Sequence, residues 1–158
     1  MEKYSSLVAK IGRKTRGKFG PASTYRITQL KKLKFPSDVI EFYRRYEPVD
    51  IVEGCVRLLP IKMIVAENKD LIPGCYASRR GFVAFASTFA GDAYCFDAGS
   101  KSNPSRIVLL SHDEVGPRMA RKTLLRIAVP VATELSEFLQ LFLDDALDQP
   151  PPGEGLED

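Results

Sequence analysis

The chain has 158 residues, 44% of them apolar, with nine Phe and six Tyr, enough for one hydrophobic core and too much for wholesale disorder. Its formal net charge is +3, unevenly spread: Met1 to Lys34 carries ten Lys or Arg against the single acid Glu2, whereas Asp144 to Asp158 carries six acids and no base. No secretory apolar region follows Met1, and runs such as Leu58 to Ile61 are far too short to span a bilayer, so a cytosolic protein with no membrane partner is expected.

Tyr4, Leu7, Val8 and Ile11 have the spacing of one helix face and predict a short first helix ended by Gly12. A glycine-rich basic loop follows, with Lys10, Arg13, Lys14, Arg16 and Lys18 around Gly12, Gly17 and Gly20. Residues 1–20 therefore form an N-terminal helix and basic loop, either part of the domain that follows or appended to it. Tyr25 to Lys32 is a possible helical stretch. The next element begins at Ser37, a residue able to cap orphan N–H groups. Asp38 and Glu41 stand at its N-terminal end, Arg44 and Arg45 at the other, and Val39, Phe42, Tyr43 and Tyr46 form its apolar stripe. Pro48 stops it.

Cys55 to Leu59 is β-compatible and ends in Pro60, and Ile61 to Lys69 has Ile61, Ile64 and Val65 on one helical face before Pro73-Gly74 breaks the chain. Phe82 to Leu110 reads as three short strands, around Phe82 to Phe85, Tyr94 to Phe96 and Ile107 to Leu109. Gly91-Asp92 and Gly99 to Pro104 separate them as breakers, the pattern of an antiparallel meander with Tyr94 and Phe96 turned inward. Arg118 to Arg126 leaves helix and strand both open and is treated as mostly connection. A last helix is predicted from Thr133 as N-cap through Leu135, Phe138, Leu139, Phe142, Leu143 and Ala146, with Glu134 and Glu137 in its first turn. Residues 149–158, with three consecutive prolines, are expected to form a flexible acidic tail. A single α+β domain over 21–148 results, its mixed or antiparallel sheet covered by helices.

Chemistry-bearing constellations are scarce. Cys55, Cys75 and Cys95 lie about twenty residues apart with no CxxC pair, so neither a metal site nor a disulfide framework is expected. His112 is the only histidine and must serve any Ser-His-acid or Cys-His centre; beside Asp113 and Glu114 it reads first as a turn residue. Asp92 and Asp97 are the candidates for paired carboxylates, yet Asp92 after Gly91 is ordinary turn chemistry. Neither a P-loop nor a dinucleotide fingerprint is present, and no cofactor is expected. The basic loop is either a solvated surface or a phosphate contact; Phe19 is the one aromatic residue among its cations, so stacking platforms for nucleic acid are lacking.

The order of these pieces carries a family resemblance. Leu33-Lys34-Phe35-Pro36 leads into Val39-Ile40-x-Phe42-Tyr43-x-x-Tyr46; Val56 to Pro60 follows as a strand with a Leu-Pro step; then come Phe82 to Phe85, Gly91-Asp92-Ala93-Tyr94-Cys95-Phe96-Asp97 and Arg106 to Val108, and Leu135-x-x-Phe138-Leu139 closes. Together, from about Leu33 to Leu147, they resemble the SUKH superfamily, which includes yeast cell-wall-synthesis regulators and many bacterial proteins. Glu47-Pro48 stands where relatives commonly have Asn-Gly.

The resemblance implies an α+β domain that binds other proteins and does not catalyse. Bacterial members are regarded as immunity proteins that neutralise partner toxins, so the expected partner is a cognate toxin in preference to nucleic acid. Such a domain needs aromatic anchors and a charged rim; Asp92, Asp97, Asp113 and Glu114, in the turns of the meander, are the candidate contacts. The alternative is a nucleic-acid or acidic-partner adaptor using Lys10, Arg13, Lys14, Arg16 and Lys18.

Overall fold

The computed structural model describes residues 2–147; the expected acidic tail lies outside them. In chain order it contains helix α1 (Glu2–Thr15), strand β1 (Phe19–Gly20), helices α2 (Thr24–Lys32) and α3 (Ser37–Tyr46), and strands β2 (Glu47–Pro48), β3 (Val52–Glu53) and β4 (Arg57–Leu58). Helices α4 (Ile61–Lys69) and α5 (Gly74–Ala77) follow, then a 3-10 turn (Ser78–Arg80) and strands β5 (Phe82–Ser87), β6 (Ala93–Asp97) and β7 (Ile107–Leu110). Helix α6 (Arg121–Ile127), strand β8 (Val129–Ala132) and helix α7 (Leu135–Leu143) complete the fold.

Strands β3 to β8 form one antiparallel sheet in sequence order, a pure meander, and β1 pairs separately with β2. The central strands β5 and β6 are buried throughout, because their alternate residues serve two cores. Val83, Phe85, Tyr94, Phe96 and Ile107 face one core with α1, α2, α3 and α7. There Phe85 stacks on Phe96 with ring centroids 4.4 Å apart, and Phe138 meets Phe85 and Tyr94 edge-on at 4.9 and 5.1 Å, arrangements that each add about 0.5–1.5 kcal/mol beyond burial. On the other face Phe82, Ala84, Ala93, Cys95, Val108 and Leu110 pack against Ala77, Val115, Leu124 and Leu125. A register shift between Ala84 and Ala86 lets Phe85 and Ala86 both join the first core.

The meander, α2, α4 and the inward Tyr94 and Phe96 are as the sequence predicts. Several boundaries differ. Helix α1 runs through Gly12 to Thr15: burial of Val8 and Ile11 outweighs the roughly 1 kcal/mol that an interior glycine costs. The absent side chain also lets Gly17 approach, since a Cβ on Gly12 would stand 3.2 Å from its carbonyl oxygen. The helix ends where Thr15 Oγ1 accepts the Gly17 N–H and Arg16 takes φ 61°. Pro36, not Ser37, is the N-cap of α3, and no side chain caps that end.

Arg118 to Arg126 is more than connection, because Leu124 and Leu125 bury themselves in the second core as part of α6. The strand after it, β8, has Pro130 at its centre, which is tolerated because β8 is the last strand of the sheet. Helix α7 has Glu134 as N-cap, with Glu137 Oε1 accepting the Thr133 N–H at 2.9 Å, and it stops at Leu143, before Ala146. Among the described residues no helix is long and apolar enough to cross a membrane.

Candidate functional site

Two neighbouring turns at one end of the sheet carry three of the four candidate acids, Asp92, Asp113 and Glu114. The β5–β6 turn closes as the Thr88 N–H donates to the Asp92 carbonyl (2.9 Å), the Gly91 N–H to the Thr88 carbonyl (3.2 Å) and the Asp92 N–H to Thr88 Oγ1 (3.0 Å). Gly91 adopts φ 100°, a conformation that side chains rarely tolerate. Asp92 then reaches across to the loop after β7, where its Oδ1 accepts the His112 backbone N–H at 3.0 Å and lies 2.7 Å from Nδ1. His112 Nε2 is 3.2 Å from Asp113 Oδ1, and the Asp113 side chain is 82% exposed. The hydrogen bond to Asp92, helped by the Asp113 charge, raises the imidazole pKa above its ordinary 6.5.

Beside these groups Phe89, at the tip of the same turn, is 61% exposed. Arg57 covers one side of its ring, with the guanidinium carbon 5.7 Å from the centroid and Nη2 donating to the Thr88 carbonyl at 3.3 Å. Burial raises the pKa of the nearby Glu67 carboxyl, and the Arg57 charge opposes that rise. The resulting surface has an exposed ring, with Arg57 on one side, in the turn that carries Asp92, and that turn is tied to the loop bearing Asp113 and Glu114. Sequence reasoning missed Phe89; its signal was an aromatic residue inside a turn, where no strand alternation demands one.

Asp97 is elsewhere. It ends β6 at the opposite end of the strand, is fully buried, and divides its carboxylate between Arg106 Nε (2.8 Å to Oδ2) and Arg121 Nη2 (2.7 Å to Oδ1). The tight approach of Asp92 and Asp97 considered from spacing does not occur, because they cap opposite ends of one strand, about 17 Å apart at the usual rise per residue. Asp97 is a buried ion-pair centre and offers no surface contact.

Lys10, Arg13, Lys14, Arg16 and Lys18 are all exposed. Lys14 is already engaged, its Nζ donating to the Leu143 carbonyl (2.5 Å) and to Asp145 Oδ2 (2.8 Å) at the C-terminus of α7. Arg16 and Lys18 line a groove whose other wall includes Asp50 and Glu53. These cations thus do not form one unopposed positive face.

A second groove, of about 560 Å³, runs past Gly20, Val49, Pro60 and Met63. Its floor holds Glu47, 5% exposed, which accepts from Arg26 Nε at 2.8 Å and from the Ile61 N–H at 2.9 Å. The carboxylate at the first residue of α4 satisfies an orphan donor and complements the helix dipole, so Glu47 after α3 is a joint between elements.

For chemistry, His112 and Asp92 resemble a base and its orienting acid, but both ring nitrogens face carboxylates, and among the described residues no hydroxyl or thiol is bonded to either. None of the three cysteines is in a disulfide, and burial pushes the Cys95 thiol pKa well up. Among the described residues no group of three or more His, Cys, Asp or Glu is placed to hold a metal ion. What these two tied turns present is an exposed ring and several acids.

No curated protein matches the chain significantly. A family model does match, over residues 26–141, from within α2 to within α7 and so across the whole six-stranded sheet. The chain therefore belongs to the SMI1 / KNR4 family (SUKH-1).

Proposed function

We propose that this domain is a non-enzymatic protein-binding module that neutralises a cognate toxin in the cytoplasm by direct binding. The observation that carries the reading is Phe89, an exposed ring in a hydrogen-bonded turn that also carries Asp92 and is tied through it to the loop of His112, Asp113 and Glu114. Aromatic side chains fixed in one orientation lose little entropy on docking and supply the affinity, while a rim of like charge speeds encounter with a basic partner. Family membership supports an interaction role; the immunity role rests on analogy with bacterial relatives.

The experiment is co-expression with the toxin-like protein encoded beside this gene. Restored growth and a stable complex are expected, and Phe89→Ala is expected to weaken that complex by about 2 kcal/mol or more with an unchanged thermal midpoint. Charge reversal at Asp113 and Glu114 should slow association more than it speeds dissociation. A wild-type domain that neither rescues growth nor forms the complex would end the immunity reading for that pair.

A further inference from the structure

The opposite end of the sheet from Phe89 is built from cations. Three segments converge there, the 3-10 turn at Ser78–Arg80, the loop after β6 and the start of α6. Arg80 Nε donates to the Met119 carbonyl (2.9 Å), Arg121 Nη1 to the Arg80 carbonyl (3.0 Å), and the Gly99 N–H to the Gly81 carbonyl (3.0 Å). The approach is close enough that a Cβ on Gly99 would stand 3.0 Å from Arg121 Nη1. Arg79, Arg80, Lys101, Arg118 and Lys122 are exposed on these segments. Among the described residues Arg79, Lys101, Arg118 and Lys122 form no ion pair.

Beside them, Asp97 pairs with the guanidinium groups of both Arg106 and Arg121. Arg121 also lies over the Phe82 ring at 4.9 Å. The exposed large apolar side chains, Tyr25, Val49, Met63, Leu71, Ile72 and Phe89, belong to other segments.

We propose that this end of the sheet, through Arg79, Arg80, Lys101, Arg118 and Lys122, is a contact surface for the phosphate backbone of double-stranded nucleic acid. A patch of cations with no apolar anchor lacks what protein hot spots need. It fits a ligand whose affinity comes from phosphate neutralisation and counterion release. Without an exposed ring in these segments there is no platform for unstacked bases, which favours duplex over single strand. Binding of this kind is independent of sequence. Because it uses the edge opposite Phe89, it stands or falls separately from toxin neutralisation.

The test is fluorescence anisotropy of the full chain with labelled blunt-ended DNA and RNA duplexes of random sequence, from about 50 to 200 mM salt. Steep loss of affinity with salt is expected. The triple variant Arg79→Gln/Arg118→Gln/Lys122→Gln should bind at least about tenfold more weakly and flatten the slope of log K against log salt by about 2.7, near 0.9 per lost phosphate contact. Circular dichroism should show an unchanged thermal midpoint, since these side chains are exposed. A parallel variant, Lys10→Gln/Arg13→Gln/Lys18→Gln, should bind duplex like the wild type.

Four results would overturn the proposal: no duplex binding at the lowest salt, a flat salt response, an undiminished triple variant, or loss confined to the N-terminal variant. Tighter binding of a poly-glutamate peptide than of duplex would also overturn it, in favour of an acidic protein partner.

Discussion

Asp92 and His112 tie the two turns of the candidate interaction surface together: one carboxylate oxygen takes the backbone N–H of His112 at 3.0 Å and faces its Nδ1 at 2.7 Å. The backbone bond holds the loops in register at any protonation state, whereas the ring contact strengthens when the imidazole is charged.

The imidazole pKa is raised in the fold, chiefly by the Asp92 hydrogen bond and further by the Asp113 charge. Its contribution to stability is therefore fully present below the unfolded pKa, near 6.5, and is lost as pH rises through the folded value. An NMR titration of His112 should give a pKa above 6.5 in the wild type and a lower one in Asp92→Asn. The same variant should lose this part of the pH dependence of stability. An unmoved pKa would show that the pair is not coupled in solution.

Asn68 completes the sheet where a strand is missing. Strand β4 reaches only Ala86 and Ser87 of β5, and beside Ala84 the buried amide of Asn68 takes the place of a neighbour: Oδ1 accepts the Ala84 N–H at 2.8 Å and Nδ2 donates to the Ala84 carbonyl at 2.8 Å. Asn68→Leu should destabilise the domain by about 2–4 kcal/mol, because buried backbone groups lose their partners. Denaturant unfolding measures this directly.

Asp97→Asn should act on folding, because the change removes the buried carboxylate charge that Arg106 and Arg121 share. The side chains are 16% and 23% exposed and the carboxylate is fully buried, so a loss of about 3 kcal/mol or more is expected from urea denaturation. A variant as stable as the wild type would contradict the assignment of Asp97 as a buried ion-pair centre.

Lys14→Met should cost about 0.5–1 kcal/mol, since Nζ donates to the Leu143 carbonyl at the end of α7 and pairs with Asp145, a contact partly open to solvent. Lys18→Met, which removes no such contact, should be neutral within about 0.5 kcal/mol. Thermal melts at low and high salt should show the Lys14 effect shrinking as the pair is screened.

The amino-acid pattern alone determined the sheet and its main covering. Phe82 to Leu110 alternates at the period of a strand between glycine-bearing turns, and Val39 to Tyr46 and Leu135 to Phe142 repeat at the period of a helix. Such local signals survive because burial on one face imposes them. The ordered motifs also pointed to the family over most of the span that its model matches. Strand β8 and helix α6 were not legible, since a central proline and only seven residues leave too little pattern; the open edge that tolerates Pro130 exists only once β7 is in place.

Tertiary structure alone decided what each charge does. Asp92 and Asp97 look alike in sequence, five positions apart with glycine nearby, yet one is a surface tie to His112 and the other a buried partner of two arginines. Lys14 and Lys18 diverge in the same way, one capping a helix that begins over a hundred residues later. Electrostatic roles depend on distance and burial between groups remote along the chain, and no local periodicity encodes those. Pairing along the chain could therefore be read as fold, while the candidate interaction surface emerged only when the turns were brought side by side.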